Sequence, residues 1–223
     1  MTAWDPRILS LYLVTDAAAC GRRDLADVVR AAVRGGVTCV QLREKELPTR
    51  DFLARACMLK EVLAEAPRPV PLIINDRLDV ALASGADGVH VGRTDMPPAV
   101  IRRYLPHAII GLSVESTADA RAVGEQALPV DYLAASPIFA TPTKPDAASP
   151  LGLQGLAAIR ALSRLPLVAI GGIRLANAAD VLGAGADGLA VASAICSAAD
   201  PEEAARRLMH VIRSLRPVSS SGG

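Results

Sequence analysis

The sequence predicts an α/β fold, a single-domain (β/α)8 TIM barrel, from three observations. Eight short runs rich in Val, Ile and Leu alternate with eight longer amphipathic stretches, the pattern of repeated strand–helix units around a parallel sheet. A chain of 223 residues with 51% hydrophobic content is enough for one sizeable core and suits a compact barrel. Finally, "SGADGVHVG" at 84–92 and "AGADGLAVAS" at 184–193 form a partial internal repeat, each setting Gly-Ala-Asp-Gly before a strand.

The units follow in order. Strand runs at 11–14, 38–42, 72–74 and 88–91 are answered by helical patterns at 24–34, 49–65, 79–84 and 98–104. Runs at 109–112, 132–135, 167–170 and 188–191 are answered by patterns at 117–125, 155–162, 175–182 and 201–215. The glycines of the repeat end one helix and open the next strand, so Asp87 and Asp187 are expected at the N-terminal face, away from chemistry. One connection is long: 136–152, "SPIFATPTKPDAASPLG", has four prolines and no helical period. It follows the sixth strand, at the face where barrel sites form, and is read as a lid. The domain is taken as 1–216, with 217–223 a Ser/Gly tail that has nothing to bury.

Twenty-four basic residues against 23 acidic ones give a formal net charge of +1, without the basic footprint of a nucleic-acid or anionic-membrane binder. Small molecules or copies of itself are the expected partners. Cys20, Cys39, Cys57 and Cys196 form no C-x-x-C pair, and no stretch resembles a signal peptide or a membrane span. A reducing cytoplasm is the expected location.

Whatever follows a strand of a parallel barrel is presented at the C-terminal mouth. After strand two comes "QLREKEL", which puts Arg43 and Lys45 there; the alternative is a solvated loop in which they pair with Glu44 and Glu46. Strand three ends in "INDR", with Asn75 and Asp76, and strand four runs into Asp95, which taken alone reads as a helix cap. Two carboxylates facing two cations suit Mg²⁺ bound to a polyphosphate, because magnesium keeps several waters beside one or two protein carboxylates. Ser113 is expected after strand five, and Thr141 to Lys144 add hydroxyls and an ammonium on a proline-stiffened segment. Strand seven ends in Gly171-Gly172, open to backbone approach by an anion, and Ser193 begins a helix after strand eight. The result is two anion sites, one metal-assisted and one built of backbone and hydroxyl donors. No Ser-His-Asp or Cys-His arrangement is evident: His107 and His210 fall in loop or helix, and His90 is assigned a structural role in a strand.

The ordered series "QLREK", "IINDR", "GADGVHVGRTD", "IIGLS", "TPTK", "IGGI" and "GADGLAVASAI" resembles the thiamine phosphate synthase family from Leu11 to about Leu208. The resemblance implies an enzyme of thiamine biosynthesis, a transferase that joins a hydroxymethylpyrimidine diphosphate to a thiazole phosphate with Mg²⁺. It implies that Gln41, Leu42, Arg43, Glu44, Lys45, Asn75, Ser113 and Lys144 hold the pyrimidine diphosphate, Gln41 and Asn75 nearest the ring. It further implies that Asp76 and Asp95 bind the metal, and that Thr141, Pro142, Thr143, Gly172, Ala192 and Ser193 cradle the thiazole phosphate. Arg43, Lys45 and Lys144 are the implied catalytic cations. Two residues depart from the family pattern: Glu115 stands where relatives often have His, and Ser136 where many have Gly. A thiazole tautomerase on the same barrel shares "INDR", but in that group a His stands at the position of Glu115 and the second metal carboxylate is absent. A non-catalytic regulator that binds a thiamine precursor has no need of the cation and metal set, and an unrelated phosphate-binding barrel isomerase does not predict that set.

Overall fold

The computed structural model describes residues 4–140 and 149–215. Its centre is a closed barrel of eight parallel strands in chain order. These are β1 (Leu11–Val14), β2 (Cys39–Leu42), β3 (Leu72–Asn75), β4 (Gly88–Val91), β5 (Ile109–Val114), β6 (Tyr132–Ala135), β7 (Leu167–Ile170) and β8 (Gly188–Val191). Closure is made where β8 returns to β1, with Tyr12 beside Ala190. Around it run α1 (Ala17–Cys20), α2 (Leu25–Gly35), α3 (Thr49–Ala64), α4 (Leu78–Ser84), α5 (Pro98–Tyr104), α6 (Thr117–Glu125), α7 (Gly152–Leu162), α8 (Ala178–Gly183), α9 (Ser193–Cys196) and α10 (Pro201–Leu215). No helix among the described residues is long and apolar enough to cross a membrane.

The expected strands are all present, with β2 starting one residue later than expected, β3 ending one residue later and β5 two. Thr38 lies outside β2 because its hydroxyl is engaged with the backbone of Leu11. β5 runs to Val114, so Ser113 is inside the strand rather than after it. The short α1 was not expected; Asp16 caps it by accepting the N–H of Ala19.

Alternation along each strand divides the apolar residues into two layers. Leu11, Leu13, Val40, Leu42, Leu72, Ile74, Val89 and Val91 face outward and pack under the helices. Tyr12, Cys39, Ile73, Tyr132, Val168 and Ala190 face inward, and Leu9 of the preceding 3-10 turn (Pro6–Leu9) packs with them.

The Gly-Ala-Asp-Gly repeat lies at the N-terminal face, as expected, and each letter has a physical reason. Gly85 and Gly185 hold positive φ of 62° and 105° after α4 and α8. Asp87 and Asp187 accept the first N–H of the preceding strand, Leu72 and Leu167, each at 2.8 Å, and pair with Lys60 and Arg160. A Cβ on Gly88 or Gly188 would lie 2.2 or 1.9 Å from the carbonyl oxygen of Ile109 or Leu9. Asp131, just before β6, accepts the N–H of Ile110, the second residue of β5, and pairs with Arg102. Thr38, just before β2, accepts the N–H of Leu11. All four even strands therefore carry, one residue before they begin, an acceptor for the odd strand beside them.

Candidate active site

At the opposite, C-terminal mouth, the inward positions turn from apolar to polar. Gln41, Asn75 and His90 are buried to 4, 8 and 7% exposure, and Ser113 is partly buried beside them. They line a cavity of about 110 Å³ together with Arg43, Lys45, Asp76 and Asp95. A larger cavity of about 1400 Å³ lies at the N-terminal face, where Arg160 and Asp187 in its wall are already paired with each other. Barrel chemistry belongs to the C-terminal face, and the smaller cavity is the candidate site.

The charged rim is arranged by short turns. Asp76 ends β3 in the left-handed region, at φ 63°, and its N–H donates to the carbonyl of His90 at 2.8 Å. Aspartate is one of the few side chains that tolerate that conformation. Lys45 donates to the Asp76 carboxylate at 2.6 Å. Asp95 accepts the Gly92 N–H at 2.7 Å, while α5 has no side-chain cap. The helix-cap reading of Asp95 is thus replaced by a turn that sets its carboxyl against that of Asp76. Burial pushes the Asp76 carboxyl above its usual range; the Lys45 ammonium opposes this and the neighbouring Asp95 carboxyl adds to it.

No group of three or more His, Cys, Asp or Glu side chains able to hold a metal occurs among the described residues. Two facing carboxylates nonetheless fit Mg²⁺, which takes one or two from the protein and fills its octahedron with water and phosphate oxygens. A cation between them would also relieve the unfavourable charge that raises Asp76.

Other expected residues take different places. Glu44 turns away to form an ion pair with Arg55 of α3, and Leu42 is fully buried under the helices, so only its backbone is near the mouth. The solvated-loop pairing of Arg43 and Lys45 with Glu44 and Glu46 is not formed; among the described residues Arg43 has no acidic partner. Gly172, Ala192 and Ser193 stand two to three residues beyond Ile170 and Ala190, which line the cavity. Gly171 and Gly172 have a local reason: a Cβ on either would lie 2.7 Å from Pro137 or Phe139 of the β6–α7 connection. Thr141, Pro142, Thr143 and Lys144 lie outside the described residues, as do the rest of the lid's centre, 145–148, and the tail.

Three buried residues of the site, Tyr12, Tyr132 and His90, are not assigned to it by the sequence. Gln41 donates to the Tyr12 hydroxyl, which meets the Tyr132 hydroxyl, each at 2.9 Å. His90 Nδ1 meets Tyr132 Oη, and its Nε2 meets Ser113 Oγ, again at 2.9 Å. A Ser–His pair is therefore present after all, but a phenol rather than a carboxylate stands behind the imidazole. The available signal was the two tyrosines: a phenol at an inward strand position has to find a hydrogen-bond partner.

The family described as thiamine monophosphate synthase matches residues 11–195. A thiamine-phosphate synthase of Albidiferax ferrireducens is 61% identical over 205 residues, covering 92% of both chains. One of Chloroflexus aurantiacus is 51% identical over 203 residues, covering 91% of this chain and 92% of its own. The solved thiamine phosphate pyrophosphorylase of Pyrococcus furiosus superposes with a TM-score of 0.85 at 36% identity, over 95% of this chain and 98% of that one. The fold, the charged mouth and these likenesses agree, and the chain belongs to the thiamine monophosphate synthase family, as an enzyme of the transferase class.

Proposed function

We propose that the chain condenses 4-amino-2-methyl-5-hydroxymethylpyrimidine diphosphate with a thiazole phosphate, giving thiamine phosphate and pyrophosphate. The observation that carries this reading is the convergence of Arg43, Lys45, Asp76 and Asp95 on one cavity with Gln41, Asn75 and Ser113. Gln41 and Asn75 suit a ring bearing an amino group, and Ser113 with the charged rim suits a diphosphate. Asp76 and Asp95 would hold Mg²⁺, which when bound neutralises charge on the leaving diphosphate.

The bond that breaks joins the pyrimidine methylene carbon to the diphosphate oxygen, and its electron pair leaves with pyrophosphate. The bond that forms joins the same carbon to the thiazole nitrogen, which supplies its lone pair. Neither event needs a protein nucleophile. Arg43 and Lys45 stabilise the charge that develops on the departing oxygen, and the apolar walls Val14, Val168 and Ile170 exclude water from the pyrimidine cation. Gly172, Ala192 and Ser193, at the ends of the two strands beside that wall, suit the thiazole phosphate.

Glu115, the residue a tautomerase would use, does not line the cavity, and its N–H is donated to Asp119. The test is product formation by purified protein from the two substrates, with and without Mg²⁺. Equal amounts of pyrophosphate and thiamine phosphate, dependent on metal, are expected. Folded protein that yields neither would overturn the reading.

A further inference from the structure

The hydrogen bonds beneath the cavity form one continuous chain: Gln41, Tyr12, Tyr132, His90, Ser113. Its inner members are almost wholly buried, Tyr12 at 1%, Tyr132 at 0% and His90 at 7% exposure. Tyr132 packs edge-on against Tyr12 and in a tilted stack on His90, with centroids 6.1 and 5.5 Å apart. Room for the chain is made by Gly111, where a Cβ would lie 2.3 Å from the Tyr132 hydroxyl and 2.4 Å from His90 Nδ1. The thiol of Cys39, beside Tyr12, is a weak partner, whereas the four bonds of the chain join strong donors and acceptors.

Donors must run head to tail along such a chain. Burial holds both phenols well above their usual pKa, so each has one proton to give, and a neutral imidazole has one donor and one acceptor. With the imidazole neutral, all four bonds point the same way. If Gln41 donates to Tyr12, the Tyr132 hydroxyl donates to His90 Nδ1 and His90 Nε2–H donates to Ser113. The Ser113 hydroxyl proton and the Gln41 carbonyl oxygen are then left facing the cavity. In the opposite direction, with the Gln41 amide turned over, Ser113 spends its proton on His90 and Gln41 presents its NH₂.

We propose that Tyr12, Tyr132 and His90 are positioning residues whose directional hydrogen-bond relay couples the Gln41 end of the site to the Ser113 end. An anion at Ser113 needs the hydroxyl proton, which selects the direction that presents an acceptor at Gln41. That acceptor fits an amino group on the ring. A ligand carrying both groups is thus read as a unit. The inference rests on the proposed function for its substrate, while the relay itself can be observed without turnover.

The experiment combines one spectrum and one mutant cycle. With only three histidines in the chain, ¹⁵N-histidine labelling resolves the His90 ring in the presence of Mg²⁺ and inorganic pyrophosphate. A neutral ring protonated at Nε2 is expected; one protonated at Nδ1 overturns the relay. In parallel, Gln41→Ala and Ser113→Ala are measured singly and together as kcat/KM for the pyrimidine diphosphate, with Tyr132 intact and in Tyr132→Phe. Non-additivity of about threefold or more with Tyr132 intact, collapsing to additivity without its hydroxyl, supports the proposal. Equal coupling in both backgrounds, with thermal melts showing folded variants, refutes it. Wild-type protein that forms no thiamine phosphate and shows no His90 response to pyrophosphate overturns the proposed function and this inference with it, an outcome distinct from normal turnover without coupling.

Discussion

At the scale of a residue, Asp76 shows how a site is held against its own stability. Its carboxyl is pushed up by burial and by Asp95, so the protein without metal is most stable with Asp76 protonated. That contribution is lost as pH rises through the folded-state pKa. Asp76→Asn removes the penalty and keeps a side chain at home at φ 63°. It should raise Tm by about 2–4 °C at pH 7 without metal, and by less near pH 4, while activity is lost. Added Mg²⁺ should stabilise the wild type and leave the variant unmoved. Asp76→Ala strains the backbone by about 1–2 kcal/mol and is the less informative change. Thermal melts at the two pH values, with and without metal, are the check; an Asn variant that melts lower at pH 7 would contradict the account.

At the scale of the element, the strands start under restraint at one end and deliver chemistry at the other. Asp187→Ala leaves the Leu167 N–H and the Arg160 guanidinium without the carboxylate that now holds both. It should cost about 1–3 kcal/mol in denaturant unfolding, with kcat/KM within about twofold of wild type, because the change is at the face opposite the site. A large loss of activity in the folded variant would mean that the two ends communicate. The repeat around Asp87 and Asp187 was legible because one tetrapeptide recurs, but its partners Thr38 and Asp131 share only a position relative to a strand, visible once the register is known. The same limit applies at the mouth. Arg43, Lys45, Asp76 and Asp95 could be read from the sequence because a parallel barrel carries whatever follows a buried strand to its mouth, so charges placed there converge. Tyr12 could not, because "LYLV" reads as an ordinary strand and its partner Tyr132 is 120 residues away. The direction of the Glu44 side chain is not legible, because alternation after a strand end is set by the turn, and here the turn gives it to Arg55.

At the scale of the whole molecule, closure is made twice. β8 pairs with β1, and outside them α10 packs on α2, where a Cβ on Gly35 would lie 2.2 Å from the Glu202 carbonyl oxygen and Arg34 meets Glu202 at 2.8 Å. A barrel closed in this way cannot expose its interior at one strand without losing pairing on both sides, so its opening should be cooperative. The four cysteines report on this. Cys57 is exposed, whereas Cys20, Cys39 and Cys196 are buried on α1, β2 and α9. Burial pushes all three buried thiols up, Cys196 to about 12, leaving little thiolate to react. Iodoacetamide at pH 8 should modify Cys57 in the native protein within minutes. The other three should become reactive together, at the denaturant concentration where the fold is lost by circular dichroism. Peptide mapping after pulses along the denaturant series separates the cases. If Cys20 and Cys196, at the ends of α1 and α9, react before Cys39, then α1 and α9 open apart from the barrel and the mouth they flank is less rigid than its floor.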